Sequence, residues 1–250
     1  MDRMIYTAMS GAKHTMGQQG AVANNLANTN TTGYRAETSV LRAVPVFSDA
    51  LATRALVVDS SAGADFRPGT IQQTGRDLDV AVQGAGWIAL QLEDRSEAYT
   101  RNGSLQVSAN GMLQTRNGIN VMGEGGPIAI PPNSVITVAK DGTISTVPFG
   151  SSSNETSVVI TVGRIKLVNP PEGQLTRGGD GLFRLAGGGR TEEDPAVTLI
   201  GGALEGSNVN VVEALVDMIS LSRLFEMHMK LMQNAQGYAQ RAASLLSMSS

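Results

Sequence analysis

Few residues of this sequence have the type and spacing that catalysis requires. Asp77 and Asp79 stand two positions apart, so on a strand they would share one face and could act as the carboxylate pair of a hydrolase. We favour the alternative, in which they are surface or turn-capping carboxylates. The two histidines, His14 and His228, both fall in segments with helical periodicity. We therefore expect partly exposed helix residues there, and neither a base nor a metal ligand.

Binding motifs are equally weak. The glycine clusters at 178–179 and 187–189 could hold a phosphate through backbone amides, but neither precedes a helix or carries the lysine and hydroxyl of a P-loop. Trp87, the only tryptophan, could stack on a sugar, although a core position in a strand is the favoured interpretation. The sequence lacks cysteine, which excludes disulfides, thiol catalysis and thiolate metal sites. We predict a protein that is not an enzyme and has no cofactor and no metal.

The composition limits the partners as well. A net charge of −3 offers no electrostatic basis for binding nucleic acid or an anionic membrane. The N-terminus lacks the apolar region of a cleaved signal peptide, and no apolar run approaches the ~20 residues of a membrane span. We predict a chain that does not span a membrane and carries no cleaved signal.

Two amphipathic segments at opposite ends of the chain are the strongest structural signal. Steps of four and three residues define an apolar seam in each, typical of helices that pack in a coiled-coil-like manner. The predicted seam residues are Ile5, Met9, Ala12, Met16, Ala23 and Leu26 at the N-terminus, and Val211, Leu215, Met218, Phe225, Met229, Met232 and Leu246 at the C-terminus. A second apolar row beside the C-terminal seam predicts several neighbours, and hence self-assembly.

Between the helices the pattern changes twice. Residues 36–70 show no sustained period and are predicted to form an extended connector. Residues 71–207 alternate apolar and polar positions between five dipeptides suited to tight turns, which predicts antiparallel hairpins. These dipeptides are Asn102-Gly103, Asn110-Gly111, Asn117-Gly118, Asp141-Gly142 and Asp180-Gly181. The predicted fold is α+β: an N-terminal helix (1–35) packed on a C-terminal helix (208–250), with an inserted antiparallel all-β domain.

The end of the first helix is rich in asparagine. Asn24, Asn25 and Asn28 favour local hydrogen bonds that stop a helix, and Gly33 can take a left-handed cap position. A second interpretation is that the asparagines are buried groups that set the register between helices. We favour the helix stop.

The segment NNLANTNTTGYR (24–35) resembles the signature of bacterial flagellar rod and hook proteins. The residues that match this signature are Asn24, Asn25, Leu26, Ala27, Asn28, Gly33 and Tyr34. Three more segments are similar to that family in the same order, at 68–87, 99–113 and 204–219. LRAVPV (41–46) and RLFEMHMK (223–230) are more similar to the proximal-rod branch (type F) than to the distal-rod branch (type G).

The resemblance implies a structural subunit of the proximal rod, the drive shaft and export channel that crosses the periplasm. It implies that the terminal helices form the inner tube, with copies of the chain and other proximal and distal rod proteins as partners. It also implies type III export through the flagellar apparatus without a cleaved signal. The alternatives are a distal-rod subunit, a periplasmic glycan-binding β module anchored on Trp87, and a hydrolase built on Asp77 and Asp79.

Overall fold

The computed structural model describes residues 2–45, 55–148 and 159–248, which contain two α-helices and eighteen strands. The chain divides into two compact units. The helical unit comprises Met1–Asn28, Glu37–Asp65 and Val209–Ser250, and the β unit comprises Thr29–Ala36 and Phe66–Asn208. The predicted α+β class, with antiparallel strands inserted between two helices, is confirmed.

Both predicted helices are present in the helical unit. Helix α1 spans Asp2–Ala27 and helix α2 spans Val211–Met248. Helix α2 begins where Asn210 caps it, because the Oδ1 atom of Asn210 accepts hydrogen bonds from the backbone N–H groups of Val212 (3.1 Å) and Glu213 (3.4 Å). Small side chains line the buried positions that the structure describes on these helices: Ala8, Ala12, Thr15, Ala214 and Ala235.

The segment predicted as a connector contains two of the longer strands. Strands β1 (Glu37–Pro45) and β2 (Ala55–Ala64) pair antiparallel, from Glu37 opposite Ala64 to Pro45 opposite Ala55. The register shifts between Val40 and Leu41. Val40 lies opposite Ser61 and Leu41 lies opposite Asp59, so Ser60 of β2 has no partner residue in this register. The prediction of an extended connector did not include this pairing of two strands.

The β unit contains sixteen short strands. They are β3 (Ile71–Gln73), β4 (Val80–Gln83), β5 (Trp87–Gln91), β6 (Glu97–Thr100), β7 (Leu105–Val107), β8 (Leu113–Thr115), β9 (Asn120–Gly123), β10 (Gly126–Pro127), β11 (Ser134–Val138), β12 (Thr143–Pro148), β13 (Ile160–Arg164), β14 (Leu167–Val168), β15 (Leu175–Arg177), β16 (Phe183–Leu185), β17 (Thr198–Gly201) and β18 (Ala203–Glu205). A 3₁₀ turn spans Glu172–Gln174.

One large sheet organises the β unit. Its strand order is β15-β16-β6-β5-β9-β8-β7, with β10 paired to β9 and β14 paired to β5. Strands β11-β12-β13 form a second sheet, and the pairs β17-β4 and β18-β3 complete the unit. Apolar side chains from both sheets form the core, including the fully buried Ile88, Leu90, Leu105, Leu113 and Ile144. The alternating apolar residues of β4 and β5 thus lie in the core, although the residues between them are buried as well.

Four of the five predicted turn dipeptides connect paired strands. Gly111, Gly118, Gly142 and Gly181 have φ angles between 77° and 87°, the left-handed conformation that glycine adopts without strain. The Asn102-Gly103 prediction is wrong, because β6 and β7 are not paired with each other. Gly103 instead lies against the backbone of Val80, where an added Cβ would come within 1.7 Å of the Val80 carbonyl oxygen. Glycine is therefore required at position 103 because two backbones approach each other closely there, and not because the chain forms a hairpin turn.

Candidate assembly interface

Asparagines in the last turn of α1 connect the end of the helix to strand β1. Asn25 donates from Nδ2 to the Glu37 carbonyl oxygen (2.9 Å) and accepts at Oδ1 from the Glu37 N–H (2.7 Å), so its amide pairs with the backbone as a neighbouring strand would. Asn24 donates to the Glu37 carboxylate at 3.0 Å, and Asn28 donates to the Asn24 carbonyl oxygen at 2.9 Å. Asn28 thus matches the favoured helix-stop interpretation, whereas Asn25 holds a strand, a role the sequence did not indicate.

Gly33 is not the cap of α1. The helix ends at Ala27, and Gly33 lies in the β unit with a φ of 68°. Its N–H donates to the Glu205 carbonyl oxygen at 2.7 Å. A Cβ on Gly33 would come within 2.4 Å of the Arg101 carbonyl carbon. The glycine was correctly expected to be left-handed, but the reason is close packing against Arg101.

A buried charge cluster follows directly in the sequence. Arg35, Glu205 and Arg101 are 1%, 1% and 3% exposed. The Nη1 atom of Arg35 lies 2.7 Å from Oε1 of Glu205, and Nε of Arg101 lies 3.5 Å from Oε2. Burial lowers the pKa of Arg101 to about 10; the positive charge of Arg35 acts in the same direction, and Glu205 opposes both.

Glu205 also organises the backbone around it. Its Oε1 accepts from the Gly69 N–H at 2.9 Å. Asn208, three residues on, accepts from the Ala36 N–H at 2.7 Å and donates to the Arg67 carbonyl oxygen at 3.0 Å. The three passages of chain around residues 33–36, 67–69 and 205–208 are therefore joined within the β unit. The sequence reasoning missed this cluster, although Arg35 ends the first signature segment and Glu205 stands near the start of the last.

Trp87 lies beside the same cluster. Its ring is 4% exposed and packs against Phe183, with centroids 4.7 Å apart, and against Phe66 at 5.9 Å. The guanidinium carbons of Arg35 and Arg101 lie 6.0 and 5.7 Å from the ring centroid. Trp87 is thus the core residue that the sequence favoured. The glycan-binding alternative required an exposed Trp87, and a buried ring cannot stack on a sugar.

The two carboxylates considered as a catalytic pair lie in different surroundings. Asp77 is exposed, while Asp79 is buried. Oδ2 of Asp79 accepts from the Thr74 hydroxyl at 2.8 Å, and its Oδ1 lies 3.3 Å from Nε of Arg76. In the ranges that the structure describes, no three His, Asp or Glu side chains are grouped as metal ligands. The expected absence of a cofactor stays a prediction.

The predicted seam residues differ in their exposure. Met9, Met16, Ala23, Val211, Leu215 and Met229 are exposed, Ile5, Leu26, Met218, Phe225 and Met232 are half-buried, and Ala12 is buried. The side chain of Leu246 lies outside those that the structure describes. Part of the predicted seam is thus enclosed within the chain, and part is left open to solvent.

The least exposed row of α2 combines residues from both rows seen in the sequence. It consists of Ala214, Met218, Leu221, Phe225, His228, Met232 and Ala235, again in steps of four and three. His228 in this row contacts α1 at Gly11, where an added Cβ would lie 2.5 Å from the imidazole Cε1. Val211, Leu215 and Met229, which the sequence placed in the seam, fall outside this row. Periodicity alone could not separate two adjacent apolar rows on one helix.

The remaining apolar side chains form an open surface on both helices. Met16 is 66% exposed and Val212 is 69% exposed, and further large apolar side chains on both helices are exposed as well. The exposed large apolar residues of the helices are Tyr6, Met9, Met16, Val211, Val212, Leu215, Val216, Ile219, Leu224, Met227, Met229, Leu231 and Tyr238. Neither helix, over the residues the structure describes, is long and apolar enough to cross a membrane.

Three family descriptions of flagellar proteins match parts of this chain. Residues 5–35 match the family described as flagella basal body rod protein, and residues 200–245 match the C-terminal region of the flagellar basal body rod FlgEFG proteins. Residues 81–146, in the β unit, match the D1 domain of the flagellar hook protein FlgE/F/G group. The flagellar basal-body rod protein FlgF of Escherichia coli (strain K12) is 49% identical over the full length of both chains.

The chain belongs to the flagellar basal-body rod family and is of the FlgF type. The FlgF protein of Salmonella typhimurium is 48% identical over the full length of both chains. A FlgG protein of this rod family, from Buchnera aphidicola, is 32% identical over 90% of this chain and 92% of its own. The chain is accordingly a structural rod subunit of the flagellar basal body. The predicted rod family and the preference for type F over type G are confirmed.

Proposed function

We propose that this chain enters the proximal part of the rod by packing α1 and α2, in a coiled-coil-like manner, against the same helices of neighbouring subunits. The neighbours would be further copies of this chain and the other rod proteins that adjoin it. The observation that carries the proposal is the apolar surface left open on both helices. Large exposed apolar patches on a soluble protein are typical of binding surfaces.

The two helices present different apolar side chains on the open surface, which favours contacts between unlike faces of neighbouring subunits. Helix α1 presents Tyr6, Met9 and Met16, whereas α2 presents aliphatic side chains such as Val216 and Ile219. Two unlike apolar faces on one subunit suit a heterologous contact, in which one face binds the other face of the next subunit. Contacts of that kind build rings or helical tubes, whereas a twofold dimer uses the same face twice. A tube is the architecture that a rod requires.

The β unit supports a structural role without catalysis. Its strongest charge cluster, around Glu205, is enclosed and is used for internal ion pairing. The carboxylate of Asp79 accepts a hydrogen bond from Thr74 and forms an ion pair with Arg76. We therefore propose that the chain has no enzymatic activity. Sensitive hydrolase assays on purified protein would detect turnover if the carboxylates were catalytic.

The double substitution Val216→Asp with Ile219→Asp tests the proposed interface. The two residues are three apart on one face of α2 and are both 55% exposed, so the contacts of the isolated chain should tolerate the change. In an assembly each lost apolar side chain would remove about 1.5–3 kcal/mol of burial, and a buried carboxylate would add a desolvation cost. We expect the variant to fold, to leave the rod incomplete and to give non-motile cells in a strain that lacks the native protein.

A matched control adds the same two charges at exposed polar positions of the same helix. Gln233 and Asn234 provide such positions. The variant Gln233→Asp with Asn234→Asp should assemble, since it replaces no apolar contact. Normal motility from the Val216→Asp, Ile219→Asp variant would show that the interface lies elsewhere.

A further inference from the structure

Gly11 lies in the middle of α1, where glycine weakens a helix relative to alanine. The structure gives this glycine a specific neighbour. A Cβ built on Gly11 would lie 2.5 Å from Cε1, 2.9 Å from Nε2 and 3.0 Å from Nδ1 of His228. Three atoms of one ring at such distances mean that the imidazole covers the glycine Cα. Any side chain at position 11 would occupy the space of the ring.

The other glycines of α1 have no such neighbour. A Cβ added at Gly17 or Gly20 would meet no described atom within 4 Å. The positions that flank Gly11 on the buried face are Ala8, Ala12 and Thr15, each of which carries a Cβ. The Thr15 hydroxyl also donates to the Gly11 carbonyl oxygen at 2.9 Å.

Stability alone does not explain a histidine at position 228. The row in which it lies is otherwise largely apolar, and its Nδ1 is enclosed with no hydrogen-bond partner among the described residues. An enclosed polar atom without a partner is unfavourable, and an apolar side chain would avoid that penalty. A flat imidazole, however, fits over a glycine and cannot occupy the space already filled by a Cβ.

We propose that Gly11 and His228 are positioning residues that set the register of α1 against α2. A shift of one helical turn would bring the ring over position 8 or position 15, where a Cβ blocks it. Only the observed register seats the imidazole. The register in turn decides which apolar side chains of each helix lie beside one another on the open surface. The proposal rests on the proposed function, since that surface is the one offered to neighbouring subunits.

Alanine substitutions at the three glycines of α1 provide the first test. Gly17→Ala and Gly20→Ala are matched controls that should retain full motility in a strain lacking the native protein, because the added methyl group meets open space. Gly11→Ala should lower motility below that of both controls, because its methyl group displaces the imidazole. Combining Gly11→Ala with His228→Ala removes the ring and should restore motility to at least half of the native swimming rate. Equal motility of all three glycine variants, or a double variant as impaired as Gly11→Ala, overturns the proposal.

Cysteine pairs test the register without relying on assembly. The sequence contains no cysteine, so no native thiol can form a competing disulfide with an engineered pair. Gly11→Cys with His228→Cys should form an intramolecular disulfide under mild oxidation, whereas Gly17→Cys with His228→Cys should not, since position 17 lies between one and two turns away. Equal disulfide yields from the two pairs overturn the register proposal. If the first pair alone crosslinks while the Val216→Asp, Ile219→Asp variant remains motile, the register stands and the proposed interface fails.

Discussion

At the scale of single residues, Glu205 compensates two arginines in an enclosed site. Both guanidinium groups lie within ion-pair distance of its carboxylate, and little solvent reaches any of the three side chains. A buried ion pair adds little net stability, because desolvation offsets the attraction between the charges. Removing one partner is far more costly, since it leaves an unpaired charge in a medium that solvates it poorly.

Glu205→Gln should therefore destabilise the protein strongly while preserving the shape of the side chain. The two arginines would keep their charges without a counter-ion, and the free energy of unfolding should fall by about 3–5 kcal/mol. Urea denaturation followed by the fluorescence of Trp87, the only tryptophan, measures this change next to the cluster. Glu172→Gln, at an exposed position in the 3₁₀ turn, is the control and should leave the midpoint unchanged. A similar midpoint for both variants would contradict the assigned role of Glu205.

Tyr99 should make the stability depend on pH in the alkaline range. Burial raises the pKa of its phenol above the ordinary value of 10, and the nearby Glu97 carboxylate acts in the same direction, although hydrogen bonds with Thr191 oppose the shift. The folded state therefore retains this proton at a pH where the unfolded chain has lost it. The contribution of Tyr99 to the free energy of unfolding is fully present below about pH 10, and it is lost as the pH rises through the pKa of the folded state.

Denaturant midpoints between pH 8 and 11 would measure this dependence. Tyr99→Phe removes the ionisable group, so the variant should start from a lower stability and lose less of it at alkaline pH. Tyr238→Phe, at a 60% exposed position of α2, should retain the native slope. An unchanged slope in Tyr99→Phe would assign the alkaline loss to another group.

At the scale of elements, the helices and the sheets differ in how they obtain their stability. Strand β5 is enclosed by neighbouring strands, and four of its five residues are buried. Helix α2 has only Ala214 and Ala235 buried among its described side chains. One-sided helices obtain most of their stability from packing, so a long helix with an open apolar face depends on partners.

Hydrogen exchange should show this difference directly. In verified monomer we expect weak protection of α2 and strong protection of β5. In assembled rods the amides of α2 should become protected, because neighbouring subunits cover the open apolar face. Strong protection along the whole of α2 in monomer would mean that α1 suffices as its partner.

At the scale of the whole molecule, the chain crosses between two units, and residues 29–36 belong with the β unit although they directly follow α1 in sequence. Arg35 and Gly33 supply contacts to Glu205 that a chain beginning at residue 37 would lack. A fragment comprising residues 29–208 should therefore be more stable than one comprising residues 37–208.

The two fragments differ only in residues 29–36, which contain the second part of the signature segment. The shorter one leaves Trp87 without Arg35 and opens the space beside Arg101, so its thermal midpoint should be lower by roughly 5–10 °C. The emission of Trp87 should also shift to longer wavelength as the ring becomes more exposed. Identical midpoints would show that residues 29–36 do not stabilise the β unit.

The sequence alone determined the features that depend on local physics. Helical periodicity without proline placed α1 and α2, and alternation with Asn-Gly and Asp-Gly turns placed the antiparallel strands. Four turn glycines were identified because a left-handed backbone conformation is a local property of the chain. The rod family was recognised from motifs that persist in order along the chain.

Only the tertiary structure decided what depends on contacts between distant residues. Arg35 and Glu205 are separated by 170 positions, and nothing in either neighbourhood shows that their charges meet. The pairing of β1 with β2 was not predicted from the connector sequence, and periodicity did not show which of two adjacent apolar rows on α2 faces inward. Gly11 resembles any other helix glycine until the ring of His228 is placed upon it. Periodicity reports which residues are apolar, whereas the choice of neighbour is made by shape and charge when the chain packs.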